Sequence, residues 1–545
     1  MRYRITGLSL DPAVVEDPRR LADALARVLG VLPPQVIEPT VVKHSLDARR
    51  RPARHVWGFE LDVPSSAEPR PRPPRGAHVR LLDTPPATPP EVLRDAPPVA
   101  RFPDSFRPIV VGAGPAGLFA ALALARLGAP PLLLERGGSL QERRAAQAEF
   151  EDHGVLDPEN NAVFGFGGAG AFSEGKVYTR SRGPAVSAVL RELVDLGVPS
   201  RVLIEARPHV GADRLGRVLD RLAARLTSLG VEIRLNARVD GLLTAGGRVV
   251  GARVGDEEIQ RAPVLLATGL SARDVPRWLV DAGATLEPWS TSIGLRIEHP
   301  QELVDTIQYK SRLARARGNL PAADYHLAWH GRTGRGAYTF CMCPGGRILG
   351  IPNRAGSLAL GGTADAARSG EFANSGVVVQ VRPSDYKAFG EPGDPLAGLA
   401  FQAHWEARAA ELGGGNFVAP AQNLTDFLAG LPSSSVQSTY ARGVVPANLR
   451  DCLPEELGGA LVESLAAFGR RLNGFVSPDA VLLGVETRTS SPVRVQRDDE
   501  GRAWGLEGLY PFGEGAGYAG GIVSAALDGL KAGTAAADHA RLYSA

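Results

Sequence analysis

The residues with the clearest chemical meaning are three glycines in a turn, spaced as Gly-x-Gly-x-x-Gly. A buried apolar strand predicted to end at residue 111 leads into them, and a helix predicted over residues 118–127 follows. The first glycine permits the tight turn, the second lets the backbone approach a pyrophosphate, and the third allows the helix to pack against the strand. The helix amino terminus attracts phosphate groups. The predicted ligand-binding residues of this turn are Gly112, Gly114, Pro115, Ala116 and Gly117.

A carboxylate stands where a dinucleotide fold places the group that binds ribose. A second apolar strand, predicted over residues 131–134, ends at Glu135, 18 residues after Gly117. Such a carboxylate accepts hydrogen bonds from free ribose hydroxyls and repels a 2′-phosphate, so FAD or NAD is favoured over NADP. The alternative, a glycine turn with no ligand, leaves the combination of strand, turn, helix, strand and acid unexplained.

A second glycine-rich segment, residues 165–176, favours FAD over NAD because a longer cofactor needs more backbone in close approach. We expect Gly168, the Ser173 hydroxyl and the Lys176 ammonium to contact pyrophosphate or flavin. The Gly-x-x-x-x-Gly-Lys part of the segment is similar to a P-loop, but Val177 stands where Ser or Thr must hold magnesium, so nucleotide hydrolysis is rejected,. A glycine loop without a ligand is the alternative.

A third glycine-rich segment, residues 513–522, precedes a helix predicted over residues 523–530. A helix that begins at Gly520 and Gly521 directs a partial positive charge toward whatever lies before it. Beside the N1 and O2 edge of a flavin, this charge would stabilise the anionic reduced ring. A plain turn into a packed helix is the alternative.

Two short strands are predicted to bring more backbone to the same cofactor. An apolar strand that begins at residue 264 ends in a turn of small residues with Thr268 and Gly269, and a strand predicted over residues 231–239 ends at Val239, which we place beside adenine. An ordinary core strand explains the second pattern equally well.

The order of the elements predicts an α/β protein: a Rossmann-like FAD-binding domain with an inserted α+β second domain and a small N-terminal α+β module. The chain has 545 residues, about twice the length at which a single core stops growing,. Thirteen prolines between residues 64 and 108 predict an extended linker, in which a patch at residues 77–82 pairs back onto the module,. The predicted bounds are 1–63 for the module, 64–105 for the linker, 106–275 and 479–545 for the FAD-binding domain, and 276–478 for the inserted domain.

The composition excludes several classes of partner. The 61 Lys and Arg residues and 59 Asp and Glu residues leave a net charge of +2, too small a field to gather nucleic acid or an anionic membrane,. Three cysteines cannot form a disulfide framework, and two of them are spaced as Cys-x-Cys, which does not suit a zinc site, so no metal is predicted,. Neither a signal peptide nor a membrane-spanning stretch is recognised, so we expect a cytoplasmic protein. The oligomeric state is left open.

These motifs together resemble the glutathione-reductase-like superfamily of FAD- and NAD(P)-binding proteins. Nearly the whole chain is also similar to a bacterial and plastid family known as uncharacterised FAD-dependent dehydrogenases. The segments that carry this second similarity are residues 44–49, 164–176, 271–274, 292–299, 338–346 and 373–375.

The resemblance implies FAD as the cofactor and assigns residues to its parts. One departure is Glu514, since many superfamily members have Asp after the carboxy-terminal glycine, and the longer acid would reach the cofactor through water. The positions implied for FAD are Gly112, Gly114, Gly117, Glu135 and Arg136, with Gly168, Ser173 and Lys176 near the pyrophosphate or ring, and Glu514, Gly520, Gly521 and Ile522 at the ribityl end.

Four side chains are candidates for catalysis. Arg296, on a predicted alternating strand, would clamp a carboxylate or hydride donor, the alternative being an ion pair with Glu298 on a solvated face,. His299 would relay a proton, or else is a loop histidine without chemistry. Cys341 and Cys343 point the same way on a strand and would pass electrons to flavin, the alternative being buried apolar thiols,.

The sequence favours an FAD-dependent oxidoreductase that transfers a hydride between flavin N5 and a small organic substrate. No second Gly-x-Gly-x-x-Gly motif follows a strand, so NAD(P)H is expected only as a transiently docked electron donor,. One alternative is a flavin monooxygenase, which coupled oxygen uptake would reveal. Another is a redox-sensing flavin scaffold whose N-terminal module binds a partner. In that case, deletion of residues 1–63 would abolish partner binding.

Replacement of the middle glycine of the turn tests the cofactor assignment. Gly114→Asp places a charged side chain against the pyrophosphate, so we expect colourless protein where the wild type is yellow. The absorbance spectrum of the purified protein measures the flavin content. Undiminished flavin in the variant would contradict the assignment.

Overall fold

The computed structural model describes residues 1–48, 53–82, 102, 106–310, 320–331 and 334–542. The N-terminal module is a four-stranded antiparallel sheet with one long helix against it. The Asp17 carboxylate accepts hydrogen bonds from two backbone N–H groups at the helix start, and Gly30 ends the helix in the left-handed conformation,. The strands in spatial order are Ile37–Asp47, Arg54–Asp62, Arg2–Ser9 and His78–Leu81.

The edge strand His78–Leu81 pairs with Arg2–Ser9, which confirms that this part of the predicted linker returns to the module. Residues 83–101 and 103–105 of the linker lie outside the described residues, as does Arg49. The module contacts the rest of the protein through its other edge strand. His44 donates its backbone N–H to the Ile204 carbonyl at 2.6 Å and accepts from the Ala206 N–H at 2.8 Å, which adds a short parallel bridge.

Five parallel strands form the sheet that follows the glycine turn, and we call it the parallel sheet. Its central strands read as continuous apolar runs because both faces are covered, one by helices and the other by a three-stranded antiparallel sheet and the short helix Val275–Asp281,. The three-stranded antiparallel sheet is inserted in the chain between two strands of the parallel sheet, Glu232–Arg234 and Ala262–Leu266, and consists of Gly241–Ala245, Arg248–Val254 and Glu257–Ile259. The parallel strands in spatial order are Leu509–Pro511, Ala262–Leu266, Phe106–Val111, Leu132–Leu134 and Glu232–Arg234. The fold is therefore α/β, as the sequence predicts.

The main body has two units. The first unit is built on the parallel sheet, and a seven-stranded sheet dominates the second unit in the described part of the chain. Its core contains the buried side chains of Ile293, Leu295 and Ile297. The strands in spatial order are Ala328–His330, Gly336–Cys343, Phe372–Val381, Thr291–Pro300, Val481–Glu486, Ala419–Asn423 and Val444–Pro446. Two antiparallel pairs complete the strands: Leu286–Pro288 pairs with the distant Val493–Val495, and Arg347–Gly350 forms a hairpin with Leu360–Thr363. Because Val481–Glu486 pairs with Thr291–Pro300, we propose to place it with the inserted domain, beyond the boundary at residue 478.

The helices cover the sheets. In the described residues the α-helices are Pro12–Val15, Pro18–Leu29, Pro115–Arg126, Leu140–His153, Pro184–Asp195, Ala212–Ser228, Val275–Asp281, Gln301–Tyr309, Ala397–Leu412, Leu424–Ala429, Glu455–Arg471 and Ile522–Leu542. Short 3₁₀ helices occur at Pro33–Gln35, Ala169–Phe172, Ser200–Leu203, Pro383–Tyr386 and Leu449–Cys452.

Two of these helices pack backbone to backbone beside the parallel sheet. They are Pro115–Arg126, which we call the turn helix, and Ile522–Leu542, which we call the C-terminal helix. A Cβ atom at Gly529 would lie 2.0 Å from the Ala116 carbonyl oxygen, and one at Gly533 would lie 2.8 Å from the Ala120 carbonyl oxygen. The two glycines therefore allow a close approach that a side chain would prevent.

Adding one methyl group tests this contact, with a matched glycine as control. Gly529→Ala is expected to destabilise the protein by about 1–3 kcal/mol because the helices must separate. Gly459, in the helix Glu455–Arg471, is exposed and has no heavy atom within 4 Å of an added Cβ. Gly459→Ala should instead stabilise the protein by about 0.5–1 kcal/mol. Urea unfolding measures both, and equal effects would refute the packing argument.

Candidate functional site

A cavity of about 350 Å³ lies between the parallel sheet and the seven-stranded sheet. The turn helix and the loop before the C-terminal helix reach it from one side, and strand Gly336–Cys343 reaches it from the other. Every residue that the sequence predicts for cofactor binding lines this cavity except Gly117. A Cβ at Gly117 would lie 1.8 Å from the Gly112 carbonyl oxygen, so this glycine packs the helix against the turn.

The glycine turn leaves backbone open to the cavity. Gly112 has φ +100°, and a Cβ there would lie 2.4 Å from the Ala267 carbonyl oxygen. At Gly114 the nearest atom to an added Cβ is the Gly168 Cα, 3.9 Å away, so space remains beside the turn. No side chain caps the turn helix, and its first N–H groups are thus left for a ligand such as a phosphate,.

The Glu135 carboxylate is buried and holds three loops together. It accepts hydrogen bonds from the N–H groups of Ala113 at 2.7 Å, Gly137 at 3.1 Å and Gly165 at 3.0 Å. A carboxylate offers about four acceptor positions. About one acceptor position is left for the predicted ribose contact, so the main role of Glu135 is to fix the loops around the cavity.

The buried Arg143 guanidinium completes this arrangement from the opposite side. It donates to the carbonyl groups of Asn161, Ala162 and Phe166 at 2.7–3.0 Å and to that of Gly165 at 3.4 Å. Burial lowers the pKa of Arg143 to about 10, which still leaves it charged at neutral pH. The loop over residues 161–166 is thus fixed through both its carbonyl and its N–H groups, and the sequence pattern does not reveal this.

Arg136 forms part of the cavity wall and has its own partners. It donates to Glu159 at 2.6 Å and to Asp274 at 3.1 Å, and its guanidinium lies 4.3 Å from the centre of the Phe164 ring. Burial lowers the pKa of Arg136, but the two carboxylates raise it by more than burial lowers it, so the net shift is upward. Its planar face and hydrocarbon stem, more than its donors, are available to a ligand.

The segment from Gly168 to Lys176 crosses from the parallel sheet to the second unit. The Ser173 hydroxyl donates to the Gly170 carbonyl at 2.8 Å and accepts from the Gly175 N–H at 3.0 Å, so it stabilises its own turn. The Lys176 ammonium lies 2.8 Å from the Glu174 carboxylate and donates to the Met342 carbonyl.

Burial lowers the pKa of Lys176, but nearby Cys343 and Glu174 raise it more, so Lys176 stays protonated. Because the ammonium contacts the strand that ends at Cys343, Lys176 lies at the second-unit end of the cavity.

Arg296 lines the cavity but does not pair with Glu298 on a solvated face, and that alternative is wrong. The whole strand Thr291–His299 is buried. Arg296 donates to the Glu486 carboxylate at 2.9 Å and to the Asn374 amide oxygen at 2.7 Å, whereas Glu298 accepts from the Thr439 N–H at 2.9 Å. A Cβ at Gly362 would lie 2.0 Å from Arg296 Nη2, so the hairpin strand Leu360–Thr363 covers this guanidinium.

His299 does not line the cavity. Its Nε2 atom lies 2.8 Å from the Phe475 carbonyl, and its Nδ1 atom lies 3.3 Å from the Tyr325 hydroxyl. Burial lowers its pKa to about 4, so the ring is neutral at physiological pH. A proton relay to a ligand in the cavity is not supported, and the histidine stabilises an aromatic cluster instead.

Both candidate cysteines line the cavity, and neither forms a disulfide. Cys343 is buried, and its sulfhydryl donates to the Cys341 carbonyl at 3.3 Å. Cys341 has its side chain exposed to the cavity. Burial among protein atoms raises the pKa of Cys341 to about 12, although Lys176 and Arg296 act in the opposite direction.

A buried ion cluster that the sequence analysis did not identify joins the two units beside the cavity. The fully buried Glu406 carboxylate accepts from Arg273 at 2.6 Å and from Arg488 at 3.2 Å. Arg488 lines the cavity and also donates to Asn353 at 2.9 Å. The available signal was the segment Glu486-Thr-Arg488, two charged residues placed directly after an apolar strand.

Glu514 lines the cavity, and its carboxylate has no hydrogen-bond or ion-pair partner among the residues that the structure describes. Burial raises its pKa to about 7. The preceding Gly513 is fixed because its N–H donates to Asp528 of the C-terminal helix at 2.7 Å. The acid therefore faces the cavity from a rigid turn and changes charge near neutral pH.

Two other kinds of site are absent from the described ranges. No group of three or more His, Cys, Asp or Glu side chains there could hold a metal ion. No helix there is both long enough and apolar enough to span a bilayer.

Comparisons with known proteins agree with a flavin site. Residues 290–489 match the family described as FAD-dependent protein, C-terminal domain-like. An uncharacterized protein of Clostridium beijerinckii is 40% identical over 429 residues, which covers 78% of this chain and 79% of that protein. The chain belongs to the same family as the Clostridium protein. The narrower assignment to the glutathione-reductase-like superfamily stays a prediction.

More distant similarities involve other flavoproteins. The probable electron transfer flavoprotein-quinone oxidoreductase YdiS of Escherichia coli is 30% identical over 170 residues, covering 31% of this chain and 38% of that protein. Among solved structures, the flavin-dependent brominase Bmp2 is 13% identical with a TM-score of 0.36 and covers 80% of this chain and 79% of that chain. A 3-ketosteroid dehydrogenase of Rhodococcus jostii is 15% identical with a TM-score of 0.35, and the match covers 81% of this chain and 98% of that chain.

The raised pKa of Glu514 predicts how stability depends on pH. Between about pH 4.5 and pH 7 the folded state holds a proton that the unfolded state has lost, so this group lowers stability as pH rises through that range,. Glu514→Gln mimics the protonated acid and should be more stable than wild type at pH 8, by at most about 3 kcal/mol, with little difference at pH 4.5. Thermal unfolding of FAD-free protein at both pH values measures this.

The exposed Glu149 provides the matched control, and Glu149→Gln should change stability little at either pH. A pH-independent effect of Glu514→Gln would refute the burial argument.

Proposed function

We propose that the protein is an FAD-dependent oxidoreductase that transfers a hydride between flavin N5 and a small organic substrate held between the two units. The observation that supports this most is that one cavity combines the uncapped turn helix, the Gly520-Gly521 turn before the C-terminal helix, and the wall contributed by the seven-stranded sheet.

The residues present fit FAD. Gly114 leaves room beside the amino terminus of the turn helix, where a pyrophosphate would bind with Gly168 opposite,. Val239 and Arg136 form the wall for adenosine, with one remaining position on Glu135 for a ribose hydroxyl. The Gly520-Gly521 turn and Glu514 would contact the ribityl and ring end. When bound, FAD supplies a ring that exchanges a hydride at N5.

The second-unit wall supports a neutral substrate. Phe340, Leu349 and Ile351 contribute apolar surface to the cavity. The cations at this end are already paired: Lys176 with Glu174 and Arg296 with Glu486. A substrate carboxylate would have to compete with these buried ion pairs, so an uncharged, largely apolar molecule is favoured.

NAD(P)H is proposed only as a transient electron donor, because the described residues contain one parallel sheet with one glycine turn of this kind. The flavin monooxygenase and the redox-sensing scaffold remain alternatives. The two backbone hydrogen bonds between His44 and residues 204–206 fix the N-terminal module to the main body, so a partner would have to use its remaining surface.

The purified protein tests the proposal directly. We expect a flavin absorbance spectrum with about one FAD per chain, which bleaches on anaerobic mixing with NADH or NADPH, or with a small uncharged organic donor. Gly114→Asp should be colourless. Gly246 has φ +59° and open space around an added Cβ, so Gly246→Asp is the matched control and should remain yellow,.

Protein that has no flavin and takes none up would refute the proposal. Oxygen consumption coupled to product formation would favour the monooxygenase instead.

A further inference from the structure

Cys341 is held in an unusual backbone conformation beside the cavity. The pairing of strand Gly336–Cys343 with its neighbour shifts register between Phe340 and Cys343, which is a β-bulge. Cys341 lies in the bulge with φ +44°, a left-handed conformation that costs free energy for a residue with a side chain,. Bulges next to active sites redirect side chains, and here the exposed side chain is that of Cys341,.

Buried groups fix this conformation. Arg296 Nη2 donates to the Cys341 carbonyl at 2.9 Å, and the Cys343 sulfhydryl donates to the same oxygen at 3.3 Å. On the next residue, the Met342 carbonyl accepts from Lys176. Arg296 is in turn held by Glu486, so the direction of the Cys341 side chain is set by an ion pair within the cavity wall.

The surroundings of the thiol suit a group that gives up a proton and takes it back. Burial keeps the sulfhydryl protonated at neutral pH, which makes it a poor nucleophile but leaves it a proton to donate,. Lys176 and Arg296 stabilise the thiolate electrostatically once the proton has left. The titratable and charged groups that face Cys341 are Lys176, Arg296, Cys343, Glu486 and Tyr178.

We propose that the Cys341 thiol is a catalytic proton donor of this site and acts on substrates with a polarised double bond. The inference rests on the proposed function. The substrate accepts a hydride from reduced FAD at one atom, and a new bond to hydrogen forms there as the double bond opens. Its electron pair moves to the second atom, which takes the Cys341 proton. The thiolate then recovers a proton from water, and a nicotinamide dinucleotide or dithionite restores the reduced cofactor.

Duroquinone is a suitable probe because its ring is fully substituted and its reduction takes one hydride and one proton. FAD-loaded protein is reduced anaerobically with one equivalent of dithionite at pH 7 and mixed in a stopped-flow instrument with duroquinone in buffers from pH 6 to about pH 12.5, and reoxidation is followed by absorbance. The wild-type rate should be constant up to about pH 11 and fall above it, because the Cys341 thiol has a pKa of about 12. Cys341→Ala should be about 10²–10⁴-fold slower at pH 7 and lack that decline.

Cys452 provides the matched control, since it is buried in the core of the second unit, away from the cavity. Cys452→Ala should keep the wild-type rate and pH profile. Wild-type behaviour in Cys341→Ala would overturn the proposal, and so would a slower rate with an unchanged pH profile, which indicates a structural role.

The wild-type protein gives a second measurement that does not depend on how a variant folds. At pH 7 the reaction of the wild type with duroquinone should be slower in D₂O than in H₂O, because the transferred sulfhydryl proton exchanges with solvent. Equal rates in the two solvents would show that no proton moves in the measured step, and the proposal would be overturned. Protein without FAD would instead refute the proposed function itself, so the two failures are distinguishable.

Discussion

A buried carboxylate without a basic hydrogen-bond partner is the constraint on which the cavity depends. Glu135 accepts three backbone N–H groups, one from the glycine turn, one from its own loop and one from Gly165. Removing one of these donors would leave the buried carboxylate with one hydrogen bond fewer, and loss of all three would leave it unsatisfied, which is among the costlier defects in a folded protein. Arg143 binds the carbonyl groups of the same loop, so the cofactor side of the cavity is shaped before any ligand arrives.

The parts that the sequence predicted well are those in which the information is local. The strand, glycine turn and turn helix are contiguous, and each glycine has a steric reason to be a glycine, as the 1.8 Å approach at Gly117 shows. The C-terminal helix was predicted only to residue 530, although it extends to Leu542, because its small residues give a weak periodic signal. Its contact with the turn helix joins segments about four hundred residues apart and leaves no local pattern.

The second-unit side of the cavity could not be predicted for a related reason. Alternation along Thr291–His299 is typical of a strand with one solvated face, yet both faces are buried, because the hairpin strand Leu360–Thr363 covers Arg296. Arg296 finds its carboxylate in Glu486, 190 residues later, and no spacing rule connects them. The buried ion pair of Glu406 and Arg488 likewise joins residues far apart in the chain that no spacing rule connects.

The distance along the chain between the two packed helices has a consequence for biosynthesis. The turn helix leaves the ribosome early, but the surface that covers it belongs to the C-terminal helix, which emerges near the end of translation. Until then the apolar turn helix lacks its packing partner, and the cavity lacks its Gly520-Gly521 side. We therefore expect the cavity to become able to hold a ligand only after the chain is complete, when the last helix docks.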